Sequence, residues 1–269
     1  MKNILKEEIS RINELIFATE EDEGLGKYMD STYLKTPEQA GIGKEETDMI
    51  IFNTIKDAIE HNMKLVMIRP EYVKTAREFI DSEGGNVLVG TVIGFPNGDN
   101  SLGEKLDEAI QAIEDGVDEL DFVVDYKAFK NGELDTIRYE VNEGTSIGVD
   151  AGKSVKWIIE SAALTSEQIA ELTKLISEIV VESVGIEKAK NVFVKTSTGF
   201  FTPEDGSPGG ATIDAVSIMS KNAGPLKVKA SGGIYSKDDV LNMVNAGASR
   251  IGTSAAKEIM LGKETNKDY

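Results

Sequence analysis

Eight short runs of β-forming residues alternate with helix-period patterns along the chain, and this alternation constrains the fold more than any other feature of the sequence. The runs are predicted at about residues 28–34, 64–68, 87–93, 119–124, 154–160, 192–196, 226–231 and 249–252. Helix starts are marked by capping boxes at Ser101 with Glu104 and Thr165 with Gln168, by Ser236 with Asp239, and by Pro70 at a tolerated first-turn position. Leu102, Leu106, Ile110 and Ile113 form one apolar stripe, and Leu172, Leu175, Ile176 and Ile179 another, with Leu164 and Ile169 spaced as a hydrophobic staple. The spacing is even and no linker interrupts it. It predicts an α/β fold, a (β/α)8 TIM barrel, as a single domain over about residues 26–269. Ile4, Leu5, Ile9, Ile12, Leu15 and Ile16 predict an extra N-terminal helix over about residues 1–25, outside the repeat. A doubly wound open sheet would alternate similarly, but no G-x-G-x-x-G follows the first strand.

Counting residues narrows the chemistry. The chain has no cysteine and one histidine, His61, so a zinc site of the usual two- or three-histidine type cannot be assembled, and a Ser-His-Asp triad is not expected either. His61 itself falls at a predicted helix end, where the C-terminal dipole favours it, and no catalytic role is expected. A formal charge of −18 disfavours nucleic acid and anionic membrane as partners, so any bound anion must be held by local donors. No apolar run approaches the roughly 20 residues of a membrane span, and the charged MKNILKEEIS start is unlike a signal peptide. A cytoplasmic location is expected.

Three strands place a charge inside an apolar run: Asp121 in ELDFVV, Lys195 in VFVKTS and Lys229 in LKVKAS. A parallel barrel strand is buried on both faces, and an ammonium there is costly unless it is paired or neutralised. If the lysine strands are neighbours, a second ammonium and burial together drive Lys195 towards the free amine, the side chain that condenses with a carbonyl. Lys229 is then its electrostatic partner, and Asp121 balances charge and serves proton transfer. The competing readings are a strand-end lysine snorkelling to solvent and a buried Asp–Lys pair with the other lysine solvated. Glycine turns follow these strands: Ser197-Thr198-Gly199, Gly232-Gly233 and Gly252-Thr253-Ser254, the last leading into a helix. Backbone amides in such turns can cradle a phosphate. Asp30, in the first strand, reads either as a site carboxylate or as a turn residue.

KTSTGF around Lys195, KASGGI around Lys229, DELDFVVDYKAFKNG around Asp121 and GTVIGFPNG before it resemble the deoxyribose-phosphate aldolase family, in order over about residues 28–257. The resemblance implies a metal-independent class I aldolase that reversibly cleaves 2-deoxy-D-ribose 5-phosphate to D-glyceraldehyde 3-phosphate and acetaldehyde, with no cofactor beyond the lysine imine. It implies Lys195 as the Schiff-base residue, Lys229 as the residue that lowers its pKa and Asp121 as the proton relay. Thr198, Gly199, Gly232, Gly233, Gly252 and Ser254 would form the substrate and phosphate turns, and Asp30 would meet a substrate hydroxyl. A homodimer is compatible with this reading. The chain departs from the family pattern at Tyr235, where many relatives have arginine, at Phe200, where some have lysine, and at Met67, where some have cysteine. Residues 201–210, FTPEDGSPGG, form a longer and more acidic segment, either a lid or a surface loop. Two other functions fit the same residues: a Schiff-base aldolase acting on another sugar phosphate, and a barrel that binds a phosphorylated metabolite without turnover.

Overall fold

A computed structural model describes residues 23–263 and residue 265. Eight parallel strands close into a barrel in chain order: β1 Met29–Thr32, β2 Leu65–Ile68, β3 Leu88–Ile93, β4 Glu119–Val123, β5 Ser154–Ile158, β6 Val192–Lys195, β7 Lys227–Ser231 and β8 Arg250–Thr253. The principal helices between and after them are α1 Lys44–Glu60, α2 Val73–Ser82, α3 Leu102–Glu114, α4 Leu134–Asp150, α5 Ser166–Ala189, α6 Ile213–Asn222, α7 Lys237–Asn245 and α8 Ala256–Met260. The expected (β/α)8 barrel is therefore the fold. Most of the predicted N-terminal helix lies outside the described residues, and only its last residues appear, within the turn of helix Glu23–Gly26. No helix among the described residues is long and apolar enough to cross a membrane.

The capping signals act where the sequence puts them. Ser101 with Glu104, Thr165 with Gln168 and Ser236 with Asp239 each form a reciprocal box that satisfies otherwise unpaired amides at a helix start. Pro70 opens a 3-10 turn, Pro70–Tyr72, that runs into α2, and His61 terminates α1. Two local expectations are corrected. The stripe predicted for α3 is rotated: Lys105, Ala109 and Ala112 face inward, Leu102, Leu106 and Ile113 are half-buried, and Ile110 is exposed. Two alanines let α3 sit close to the sheet, and the Lys105 ammonium is satisfied inside by the carbonyls of Gly98 (2.5 Å) and Val123 (2.9 Å) and by Glu140. The fifth strand stops at Ile158 rather than near 160, because Glu160 turns into the left-handed region (φ 50°, ψ 64°). In addition α5 is broken at Gly185, whose φ of 78° no helix accommodates.

Strand alternation sends one set of side chains out to the helices and the other into the barrel. The outward set forms the main apolar core, with Val66, Val89, Leu120, Val155, Val194, Val228 and Ile251 fully or almost fully buried. The interior is divided. On the β2–β3 side Leu65, Met67 and Val92 fill it with hydrocarbon, and Gly90 has no side chain because a Cβ there would lie 2.6 Å from the Met67 methyl. The arc from β4 round to β1 instead carries Glu119, Asp121, Lys156, Lys195, Lys229, Arg250 and Asp30, all buried.

Candidate active site

Register brings these charges together. Lys195 on β6 lies opposite Lys229 on β7, Asp121 on β4 opposite Lys156 on β5, and Lys229 opposite Arg250 on β8. Asp121 is the hub: its Oδ2 accepts from Lys195 Nζ at 2.9 Å and Lys229 Nζ at 3.0 Å, and its Oδ1 from Lys156 Nζ at 2.5 Å. Each neighbouring cation has further support. Lys156 also meets Glu119 at 2.6 Å, Lys229 also meets Asp30 at 2.5 Å, and Arg250 donates to both Asp30 and Glu119. Among the described residues Lys195 has only the shared oxygen of Asp121.

That asymmetry selects one ammonium to lose its proton. Three carboxylates (Asp30, Glu119 and Asp121) face four cations (Lys156, Lys195, Lys229 and Arg250) in a space with almost no solvent contact. Neutral Lys195 makes the count three against three. Burial is the largest influence on Lys195 and pushes it down; Asp121 pushes it up, Lys229 pushes it down again, and it settles at about 8. Lys156 is equally buried, yet Asp121, Glu119 and Asp30 outweigh burial and hold it above the ordinary lysine value. For Asp121 burial is opposed by Lys156, Lys195 and Lys229, which together keep it ionised well below the usual carboxylate range.

Above this cluster opens a pocket at the C-terminal ends of β6, β7 and β8. Lys195 is its floor, and Thr198, Gly199, Phe200, Gly232, Gly233, Gly252 and Ser254 are among its walls. The predicted turn residues therefore converge on the predicted lysine. The turns are fastened to one another: Ser231 Oγ donates to Ser197 O at 2.6 Å, Thr196 Oγ1 accepts from Ser231 N at 3.0 Å, and Thr253 Oγ1 donates to Ile234 O at 2.6 Å. Gly232 (φ 83°) packs against Gly210, where an added Cβ would stand 2.4 Å from the Gly232 carbonyl, so Gly210 has no room for a side chain. That contact docks the end of the 201–210 segment, whose residues 204–208 are exposed. Gly252 has a different role from a turn glycine: a Cβ there would stand 3.1 Å from Lys229 Cε, so it makes space for that lysine.

Lys195 is the only charged side chain among the described residues lining the pocket. Phe200, stacked edge-on against Phe95 at 5.1 Å, and Tyr235 occupy positions at the rim. Asp30 lies below the pocket rather than in its wall, held by Lys229 and Arg250. The sequence reading did not single out Lys156, Glu119, Arg250 or Glu160. Lys156, inside VKWII, carried the same signal as Lys195 and Lys229, a charge within an apolar strand. Among the described residues no group of three or more His, Asp or Glu side chains is placed to hold a metal ion.

Comparison with known proteins agrees with the sequence motifs. No protein-family model matches the chain. It is 37% identical over 239 residues to the deoxyribose-phosphate aldolase of Thermococcus gammatolerans, covering 88% of this chain and 96% of that one. It is 38% identical over 244 residues to the enzyme of the same name from Staphylococcus haemolyticus, covering 90% and 98%. Among solved structures, the deoxyribose phosphate aldolase of Aeropyrum pernix, described as having a unique tetrameric structure, superposes with a TM-score of 0.73 at 27% identity, over 92% of this chain and 93% of the other.

Proposed function

The chain belongs to the deoxyribose-phosphate aldolase family and is a lyase, and we propose that it cleaves 2-deoxy-D-ribose 5-phosphate reversibly through an imine on Lys195. The observation that carries this reading is the charge count: Lys195 is the least compensated ammonium of a buried cluster, so it is the one poised to act as a free amine.

In the cleavage direction the Lys195 amine adds to the C1 aldehyde of the open-chain sugar, and loss of water leaves an iminium. Removal of the C3 hydroxyl proton lets the C2–C3 electron pair flow into that iminium. D-Glyceraldehyde 3-phosphate departs and an enamine of the two-carbon fragment remains. Protonation at C2 and hydrolysis release acetaldehyde and restore the amine. Asp121, whose Oδ2 accepts from both Lys195 and Lys229 beside the amine, is the group proposed to move these protons, through water. Lys229 also disfavours a second positive charge at Lys195. Asp30 is assigned to hold Lys229 rather than a substrate hydroxyl, because its oxygens already meet Lys229 and Arg250. The phosphate is assigned to the turn amides of Gly232 and Gly233 and the Ser254 hydroxyl. The reading requires no metal or organic cofactor and places the enzyme in the cytoplasm. It also carries a homo-oligomer, for which sedimentation distinguishes the dimer from the tetramer described for the Aeropyrum pernix relative.

The test is borohydride reduction in the presence of acetaldehyde, followed by peptide mapping. A two-carbon adduct on Lys195, absent in Lys195→Met of native circular dichroism, is expected. No selective adduct on the folded protein would refute the imine.

A further inference from the structure

Glu160 is a buried acid beside the pocket for which the steps above have no use. It follows β5, is 1% exposed, and holds a left-handed backbone (φ 50°, ψ 64°) that a side chain with a Cβ adopts at a cost. The flanking amides clamp it to β6: Ile159 N donates to Lys195 O at 3.0 Å and Ser161 N to Thr196 O at 2.8 Å. The side chain reaches the next loop, where Oε2 accepts both the Thr198 amide, at 3.1 Å, and the Thr198 hydroxyl. Thr198 Oγ1 in turn accepts from Phe200 N at 3.1 Å. One carboxylate thus ties down the whole turn, through a hydroxyl used as donor and acceptor at once. Gly199 at its centre has φ 82°, and Phe200 at its end is braced against Phe95.

A residue needed only to fill this space would not require a carboxyl group. Burial raises the acid to about 7 against the pull of the Thr198 bonds and the Lys195 charge, and Oε1 has no hydrogen-bond partner among the described residues. Burying such a group is unfavourable, and a strained backbone adds to that. What the arrangement secures is the position of Thr198, Gly199 and Phe200, which together wall the pocket immediately beside Lys195.

We propose that Glu160 is a positioning residue of the aldol site: by accepting both donors of Thr198 it fixes the 198–200 turn as the wall against which the aldehyde is held for carbon–carbon bond cleavage. The inference rests on the aldolase reading. It assigns Glu160 no contact with substrate. Imine formation with acetaldehyde, which is too small to lean on that wall, should be nearly independent of it, whereas cleavage of the five-carbon substrate should depend on it.

The experiment compares Glu160→Gln, Glu160→Ala, Thr198→Val and the Glu160→Ala/Thr198→Val double variant, in kcat and KM for 2-deoxyribose 5-phosphate and in acetaldehyde trapping by borohydride. Misplacing a reacting group by about 1 Å costs about a hundredfold, so Glu160→Ala is expected to lower kcat/KM by roughly 10- to 100-fold. Trapping should change by less than about threefold, and Glu160→Gln, which keeps an acceptor for Thr198, should recover most of the loss. Glu160→Ala should add less than about twofold to Thr198→Val, because the two act in series. Wild-type kcat/KM in Glu160→Ala, equal losses in trapping and cleavage, or additive costs in the double variant would each overturn the proposal. Should Glu160→Ala fail to fold, Thr198→Val carries the test alone, and full activity in it overturns the proposal equally. A wild-type protein that cleaves no substrate would refute the aldolase reading instead.

Discussion

Replacing Lys229 with leucine tests the charge argument most directly. The substitution removes the ammonium 3.0 Å from Asp121 Oδ2, leaving that oxygen to Lys195 alone, and it removes a like charge that pushes Lys195 down. Both changes favour protonated Lys195. The count agrees: three carboxylates then face Lys156, Arg250 and Lys195, and balance requires Lys195 to be charged. Wild-type Lys195, at about 8, is neutral in about a quarter of molecules at pH 7.5. If the variant rises to about 9.5, near the ordinary lysine value, about 1% is neutral at that pH, a roughly 25-fold loss. At pH 10 both forms are mostly neutral and the gap should close to less than about twofold. The assay is kcat/KM for cleavage from pH 6.5 to 10, with thermal unfolding to confirm that the variant is folded; Asp30 keeps Arg250 as a partner, so the barrel is expected to survive. In both proteins activity should rise with pH, with the midpoint moved upward in the variant. An unchanged midpoint with a deficit constant across pH would refute the reasoning and make Lys229 a group that handles substrate or protons directly.

Gly252→Ala should lower kcat by about tenfold with little loss of stability, because the added Cβ stands 3.1 Å from Lys229 Cε and displaces that ammonium from its carboxylates; a wild-type kcat would show that the lysine yields freely. Tyr235→Arg would add a cation to a pocket whose only charged lining group among the described residues is Lys195, and KM for the phosphorylated sugar should fall about tenfold while that for unphosphorylated 2-deoxyribose stays unchanged. Equal effects on both sugars would place the side chain away from the phosphate. Lys105→Met should destabilise the fold by about 3–5 kcal/mol in urea denaturation, since it strands the buried Glu140 carboxylate, and a loss below about 1 kcal/mol would mean that Glu140 simply takes a proton.

What the sequence made legible was whatever depended on one residue type in one local pattern. Strand runs, capping boxes and charges within apolar strands pointed to the barrel and to Lys195 and Lys229 on neighbouring strands, and the structure pairs these two lysines in direct register. The glycine turns were legible as a group, since three of them follow strands that end beside one another. Their separate duties were not, because whether a glycine serves a turn, as Gly199 does, or a neighbour's side chain, as Gly252 does, depends on contacts across the barrel. The rotation of α3 was hidden for a similar reason. Hydrophobic periodicity counts Ile110 as core and Lys105 as surface, and only the carbonyls of Gly98 and Val123 with the carboxylate of Glu140 make the opposite arrangement stable.

The least legible part is the supporting charge. Lys195 and Lys229 can be named as a pair from their strands, and from that pair alone the mutual repulsion of two ammonium groups would account for a depressed lysine. The structure makes the argument depend on seven groups instead. Asp121 also binds Lys156, Lys229 also binds Asp30, and Arg250 links Asp30 to Glu119, so partners separated by as many as 220 positions decide which ammonium is left short of a carboxylate. Lys156 shows why burial alone is insufficient: it is as deeply buried as Lys195 and sits in an equally apolar strand, yet Asp121 and Glu119 in direct contact, with Asp30 beyond them, keep it charged. Chemical identity within the barrel is thus a property of the ion-pair arrangement, and a lysine becomes the amine because its neighbours have taken the available negative charge.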